Sequence, residues 1–412
     1  MLVNFTFQNF RSFREERSLR MEATSIKELK DSIVEAGGYR LLPAAVMYGA
    51  NSSGKSNVLM AMLAMKDLVL SSVRLNPDDQ LTFDPFRLDE TSASQPTSYE
   101  IQFLIGDTKY RYGIEHDQKR VIAEWLYEKN LKEREFCLFE RNGQDFHISS
   151  ARFAEGVGKE ESTPENRLFL SLVAQLNGKK AESIIGFFRG MYDFSRRSSK
   201  ENDNFTMRMF QEDREECSDI LEFYRYLQLG FKDLKVQEAR YYYMDKGKRV
   251  EFKGLHEYEM RTVHDIYDSD GNVVDERMFN KTLMESEGTQ QVISLSGPLF
   301  SALKNGTLLL VDELDIRLHP MLTRSIVQLF MNRSTNPNGA QLICTTHDTN
   351  LLDLAYLRRD QIWFTEKDRT ESSDLYSLVE FKDGRGVRVR NDSSIEKDYI
   401  EGRYGAIPFL HY

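Results

Sequence analysis

The octapeptide Gly49-Ala50-Asn51-Ser52-Ser53-Gly54-Lys55-Ser56 constrains this chain more than any other stretch. It meets G-x-x-x-x-G-K-[ST] at every fixed position, the pattern of a loop whose backbone N–H groups cradle phosphate. Its glycines let the chain curl so that successive amides converge on an anion. The apolar run Ala44-Ala45-Val46-Met47-Tyr48 before it predicts a short strand, and residues 57–70 after it carry helical apolar spacing. Such a unit points the N-terminus of a helix at the bound phosphates, where backbone donors and dipole both favour negative charge. Lys55 would reach the β- and γ-phosphates, and the Ser56 hydroxyl would take a Mg²⁺ position. Gly49, Asn51, Ser52, Ser53, Gly54 and Asn57 complete the candidate nucleotide contacts.

Two later strands end in residues that complement this loop. Thr307-Leu308-Leu309-Leu310-Val311-Asp312-Glu313 reads as a buried parallel strand, whose carboxyl end is where α/β proteins place ligands. Asp312 there would hold Mg²⁺ and Glu313 would polarise an attacking water. Ala340-Gln341-Leu342-Ile343-Cys344-Thr345-Thr346 predicts another core strand, followed by His347, whose imidazole can meet a γ-phosphate without being charged. Ser286-Glu287-Gly288-Thr289-Gln290 opens a predicted helix over 292–303. It suits a second anion-binding helix end, and Ser286 reads equally as an ordinary N-cap.

A chain of 412 residues exceeds one compact core, so two lobes or domains are expected. The net charge of −10 argues against general coating of duplex DNA, so any nucleic-acid contact must come from a local patch. The runs Arg196-Arg197-Ser198-Ser199-Lys200 and Lys246-Gly247-Lys248-Arg249 are the candidates, although short charge runs are usually solvated loops. Cys137, Cys217 and Cys344 are far apart, which suggests reduced cytosolic thiols. The start lacks a signal-peptide pattern, and no apolar stretch approaches the ~18–20 residues of a membrane span. A cytoplasmic protein with no membrane partner is the expectation.

The fold class predicted is α/β, with a parallel core sheet, an N-terminal antiparallel β meander and an inserted helical lobe. Strands are expected over 2–7, 99–105, 109–115, 121–128 and 135–140. Ser162-Thr163-Pro164-Glu165 suggests a helix start, and helical spacing follows over 168–176, 181–191 and 216–229. Strands return over 236–244 and 258–274. The divisions that result are 1–160, an N-terminal lobe with the phosphate loop and meander; 161–235, the helical lobe; and 236–412, a C-terminal lobe. The strands before the phosphate loop and before Asp312 can pair only if the intervening lobe loops out.

Together these elements resemble ABC-type ATPase heads of the branch shared by structural-maintenance-of-chromosomes proteins, RecF and OLD-type ATPases. Residues 49–56 match Walker A, 309–313 Walker B, and His347 the switch histidine. Ser286-Glu287-Gly288-Thr289-Gln290 is similar to the signature motif in an S-x-G-T form, and Ile316-Arg317-Leu318-His319-Pro320 falls where a D-loop belongs. Phe7-Gln8-Asn9-Phe10-Arg11-Ser12-Phe13 resembles the N-terminal strand and turn of that branch. More narrowly, residues 285–289, 312–315 with 318–320, 358–362 and 399–408 resemble the compact bacterial AAA (RloA-like) ATPases of anti-phage abortive-infection loci. The chain departs from the pattern in two respects. No glutamine loop can be placed, and 65 residues (412 − 347) follow His347, fewer than a nuclease domain of ~100 residues needs. No heptad run between 160 and 290 supplies coiled-coil arms.

The resemblance implies ATP and Mg²⁺ as ligands and an ATP-dependent dimer or higher oligomer. In it, ATP would lie between Lys55 of one subunit and Ser286, Gly288 and Thr289 of another. The function implied is ATP hydrolysis that senses for, or regulates, an effector encoded nearby in bacterial anti-phage defence. Two alternatives stay open: a RecF-like ATPase acting directly on DNA in repair, and a slow nucleotide-gated scaffold that holds an effector inactive.

Overall fold

A computed structural model describes the chain apart from residues 132, 196–198, 240–241, 246–247, 252–256, 383–385, 387–388, 390–393 and 408–412. Most of the basic runs at 196–200 and 246–249, and Pro408, therefore lie outside the described residues. The chain opens with β1 (Leu2–Gln8), β2 (Arg17–Arg20), β3 (Val34–Ala36) and β4 (Tyr39–Leu41), then β5 (Ala44–Gly49) running into α1 (Lys55–Ser71). Five strands follow: β6 (Thr97–Ile105), β7 (Thr108–His116), β8 (Val121–Asn130), β9 (Phe136–Asn142) and β10 (Asp145–Ile148). Next come α2 (Phe169–Gln175), α3 (Lys179–Arg189), the three-residue β11 (Tyr192–Phe194), α4 (Ser199–Gln211) and α5 (Glu216–Tyr226). Then β12 (Asp233–Glu238), β13 (Tyr242–Asp245), β14 (Lys248–Glu251), β15 (Tyr258–Tyr267) and β16 (Val273–Asn280) lead to the single turn α6 (Lys281–Met284). The last third holds α7 (Glu287–Asn305), β17 (Leu308–Val311), α8 (Pro320–Met331), β18 (Gln341–Thr345), β19 (Ile362–Lys367), β20 (Ser373–Ser377) and α9 (Ile395–Ile400).

The predicted meander forms one antiparallel sheet of order β10-β9-β8-β7-β6-β1-β2. The core sheet runs β11-β17-β18-β5-β19-β20, parallel through its first five strands and closed by the antiparallel β20. Every residue of β5, β17 and β18 is buried, as a parallel sheet covered on both faces requires. Side chains alternate across it. Ala45, Met47, Leu308, Leu310 and Ile343 join a core with α1, α2, α3 and the antiparallel sheet. Ala44, Val46, Tyr48, Leu309, Val311, Leu342 and Cys344 join a second core with α4, α5, α7, α8 and α9.

Three expectations change. β18 lies between β5 and β17, so the strands before the phosphate loop and before Asp312 do not pair with one another. Residues 161–235 do not make one helical lobe. α2 and α3 pack in the first core, β11 enters the core sheet beside β17, and α4 and α5 pack in the second core. The chain thus crosses from one face of the sheet to the other at β11, and helical spacing by itself carries no trace of that crossing. Finally, the first helix of this stretch opens at Phe169, not near Pro164. Its first-turn amides find an acceptor from another element: the buried Glu124 of β8 accepts from the N–H groups of Phe169 at 2.6 Å and Leu170 at 2.9 Å. Arg141, fully buried 3.6 Å from Glu124, donates to the carbonyl oxygens of Arg167, Pro164 and Glu165 and fixes the approach.

Contrary to the sequence reading, the helical run Lys55–Arg74 is long and apolar enough to cross a membrane by length and composition. Its apolar face has another use here: Val58, Ala61, Met62, Met65 and Val69 are buried in the first core.

Candidate functional site

The phosphate loop links the end of β5 to the start of α1, so the first-turn amides of α1, which have no intrahelical acceptor, face the loop. Ser52 and Gly54 have φ of 63° and 114°. Glycine is required at two places: a Cβ on Gly49 would lie 2.5 Å from the Thr365 carbonyl oxygen, and Gly54 combines its φ of 114° with a Ser373 Oγ 2.6 Å from where a Cβ would sit. Lys55 Nζ donates to the carbonyl oxygens of Gly49 at 2.7 Å and Ala50 at 3.0 Å. Burial pulls its pKa down to about 8, against the opposing pull of Asp312, Glu313 and Asp315. The ammonium is therefore held beside the loop with its charge poorly solvated, a setting that a polyanion relieves.

The loop is braced from below by residues far away in sequence. Ser53 Oγ shares a hydrogen bond with Thr365 Oγ1 at 2.6 Å, and Ser373 Oγ donates to the Ser53 carbonyl oxygen at 2.7 Å. Ser12 Oγ lies 2.8 Å from Ser373 Oγ, to which its own proton is free to point, and accepts from Asn57 Nδ2 at 2.8 Å. The side chains of Ser53 and Asn57, expected at the nucleotide, are thus engaged with the N-terminal turn and the β19–β20 hairpin.

The structure brings Asp312 and Ser56 together: Ser56 Oγ donates to Asp312 Oδ1 at 2.9 Å. A hydroxyl and a carboxylate oxygen are the donor types that Mg²⁺ takes, so the residues present fit that ion. Thr345 at the end of β18 completes the cluster. Its hydroxyl donates to Asp312 Oδ1 at 2.7 Å and accepts the Glu313 N–H at 2.7 Å. Glu313 has φ 55°, a region an L side chain avoids, and this bond helps to hold it there. Asp315 accepts from Thr346 Oγ1 at 2.8 Å and from the His347 N–H at 3.1 Å, which ties the turn after Asp312 to the residue that follows β18. Burial first, and then the charge of Lys55, lower the His347 pKa, so its imidazole is neutral at neutral pH.

Ser286 Oγ accepts the Thr289 N–H at 3.2 Å, the cap that its sequence position predicts. Gly288 packs on the turn before α8, where a Cβ would come 2.5 Å from the Arg317 carbonyl oxygen, and Arg317 Nε lies 3.2 Å from Glu287 Oε2. Among the described residues no hydrogen bond or ion pair joins Ser286, Gly288 or Thr289 to residues 49–57 of the same chain.

Sequence reasoning passed over Thr345, Asp315, Ser12, Thr365 and Ser373, and also the end of β11. Asp193 and Ser195 line a cavity of about 160 Å³ together with Ser56 and Asp312. The register pairs Phe194 with Val311, which sets Ser195 beside Asp312. A polar residue at the end of each predicted core strand was the available signal for Thr345. Phe194 itself is a buried core side chain.

A phosphate loop on the central strand of a parallel sheet, facing an acidic strand end across Ser56 and Asp312, defines a P-loop nucleotide-binding protein. The chain belongs to the family described as "AAA domain, putative AbiEii toxin, Type IV TA system", which matches residues 44–353 and so takes in all of these elements. It is thus an ATPase domain of the AAA type, as the resemblance implied. It is also similar to the solved SMC head bound to the C-terminal winged-helix domain of ScpA, with 12% identity, a TM-score of 0.42, and 91% of this chain and 97% of that one covered. A second similar structure is the recombination mediator RecF with ATP, with 11% identity, a TM-score of 0.33 and the same coverages. No curated protein matches.

Proposed function

We propose that this protein binds Mg²⁺–ATP at the phosphate loop, hydrolyses it, and pairs with a second copy around the nucleotide to control an effector in anti-phage abortive infection. The observation that carries the catalytic part is the chain of contacts from Ser56 to Asp312 to Thr345 to Glu313, next to a buried Lys55. Bound at Ser56 and Asp312, magnesium would neutralise charge on the β- and γ-phosphate oxygens. Lys55 donates to the same phosphates, and the loop amides hold the rest of the triphosphate. Glu313 accepts a proton from water aligned on the γ-phosphate, and neutral His347 donates a hydrogen bond to that phosphate.

Support for pairing comes from the exposed position of Ser286, with Leu283 88% and Met284 53% exposed just before it. Apolar side chains left in solvent beside a helix N-terminus suit a contact that forms only when a second copy presents its nucleotide. Closure would then depend on γ-phosphate and reverse after hydrolysis. The defence role rests on the family description, a putative AbiEii toxin of a type IV toxin–antitoxin system. The net charge of −10 weighs against a protein that works by coating DNA.

Light scattering with ATP tests the reading. Glu313→Gln is expected to accumulate an ATP-bound dimer, while Lys55→Ala stays monomeric and does not turn over. A Glu313→Gln protein that keeps one mass with and without ATP overturns the pairing. Unchanged turnover in Lys55→Ala overturns the site.

A further inference from the structure

A groove of about 860 Å³ lies on the second core's outer side, between α5 and α8, with the C-terminal part of α7 as its floor. The floor is apolar: Phe223 and Phe300 meet edge to face at 5.5 Å, beside Leu303 and Leu329. Tyr226 and Met321 stand on opposite rims, 72% and 68% exposed. Large side chains at such exposure, over an apolar floor, form a contiguous sticky surface rather than scattered single residues.

The two walls differ in charge. α5 lines its side with Glu215, Glu216, Asp219 and Glu222, one stripe at helical spacing. Lys304 donates to Glu215 at 2.8 Å and Glu216 at 3.3 Å. Arg324 is turned onto Tyr356, 4.1 Å from the ring and 3.0 Å from its hydroxyl. Asp219 and Glu222 make no hydrogen bond or ion pair among the described residues. On the α8 wall Met321, Ser325 and Gln328 are uncharged, and its one cation, Arg324, is the residue already engaged by Tyr356.

We infer that this groove receives a basic amphipathic helix of about three turns from a partner protein, since α5 and α8, at 11 and 12 residues, are each ~16–18 Å long. Leucine-like side chains at i, i+3/i+4 and i+7 fill the floor, and lysine or arginine on one flank pairs with Asp219 and Glu222. Nucleic acid and anionic lipid are excluded by the same carboxylates, which repel phosphate. The position has a consequence for control. α7 begins at the Ser286 cap and α8 begins just after the Asp312–Glu313 turn, so an occupant rests on both elements that flank the nucleotide residues. The groove itself exists whether or not ATP is hydrolysed.

The test is fluorescence anisotropy on the full chain, using a labelled 14-residue peptide with leucine at helical spacing and lysine elsewhere. A glutamate counterpart of identical apolar pattern is the comparison. The basic peptide is expected to bind at least tenfold more tightly than the acidic one. Binding should fall at least tenfold in the double variant Asp219→Lys/Glu222→Lys and in Tyr226→Ala/Met321→Ser, and should persist in Lys55→Ala. All four substituted groove positions are exposed, so circular dichroism should be unchanged. A control pair of exposed acids on the other sheet, Asp107→Lys/Asp145→Lys, should leave binding intact. An equal loss in the control pair, or equal binding by wild type and groove variants, overturns the inference. So does a self-associated wild type that Asp219→Lys/Glu222→Lys converts to monomer, which assigns the groove to a second copy.

Discussion

Thr345 Oγ1 lies 2.7 Å from Asp312 Oδ1, and the same oxygen receives the N–H of Glu313 at 2.7 Å. One hydroxyl on β18 therefore orients the carboxylate proposed to hold magnesium and pins the backbone of the residue proposed to align water. It can do so because β18 is the strand between β17 and β5, with Thr345 in register with Met47 just ahead of the phosphate loop. Removing the hydroxyl takes from Asp312 Oδ1 one of its two donors, leaving that of Ser56, and releases Glu313 from φ 55°.

Thr345→Val keeps the shape and deletes both bonds. Turnover of ATP is expected to fall on the order of a hundredfold, with KM changed far less, because alignment in the transition state is what is lost. Thr345→Ser should restore most of kcat. Steady-state kinetics on the three proteins decides it; a loss confined to KM would refute the positioning role.

Lys55 titrates near pH 8 in the free protein, and bound triphosphate favours its charged form. The sign follows from linkage: above pH 8 the nucleotide must bind together with a proton. ATP affinity should be level from pH 6.5 to 8 and fall toward about tenfold per pH unit above that. Calorimetry at pH 8.8 in buffers of different ionisation enthalpy should record proton uptake. Affinity independent of pH up to 10 would contradict it.

Gly288→Ala places a methyl group 2.5 Å from the Arg317 carbonyl oxygen, both on the surface proposed to meet a second subunit. Nucleotide binding by the single chain, read with a fluorescent ATP analogue, should be unaffected. In the Glu313→Gln background, the ATP-dependent dimer should be lost. Retention of that dimer would remove residues 286–289 from the interface.

Arg141→Met strands the Glu124 carboxylate, fully buried and already raised in pKa by desolvation despite its neighbour. Breaking a buried pair in this way costs about 3–5 kcal/mol. Denaturant unfolding should report a loss of that size. Double replacement Glu124→Gln/Arg141→Met should recover part of it, since no buried charge is then left alone. Equal stability of single variant and wild type would show that water reaches this site.

Much of the candidate site could be read directly from the chain, because its chemistry is local. The glycines, Lys55 and Ser56 sit within one octapeptide, and Asp312 and Glu313 end an apolar run that can only be a buried strand. The meander over β6 to β9 was legible for the same kind of reason: alternation and turn residues set it without reference to the rest of the molecule. Helix α4, by contrast, buries the polar Asn202 and Thr206 alongside Met209, so its inward face does not read as an apolar stripe. The start of α2 was misplaced toward Pro164 because Glu124, forty-five residues earlier, and not a neighbouring side chain, receives its amides.

The sequence alone determined the chemistry available: a phosphate loop, an acidic strand end and a histidine after a third strand. Tertiary structure decided how they are held. Strand order brought Thr345 between Asp312 and the phosphate loop, set Ser12, Thr365 and Ser373 beneath it, and carried residues 161–235 across both faces of the sheet. Those choices rest on which buried strands pair with which, and that is settled by packing between residues hundreds of positions apart, where no local periodicity can record it.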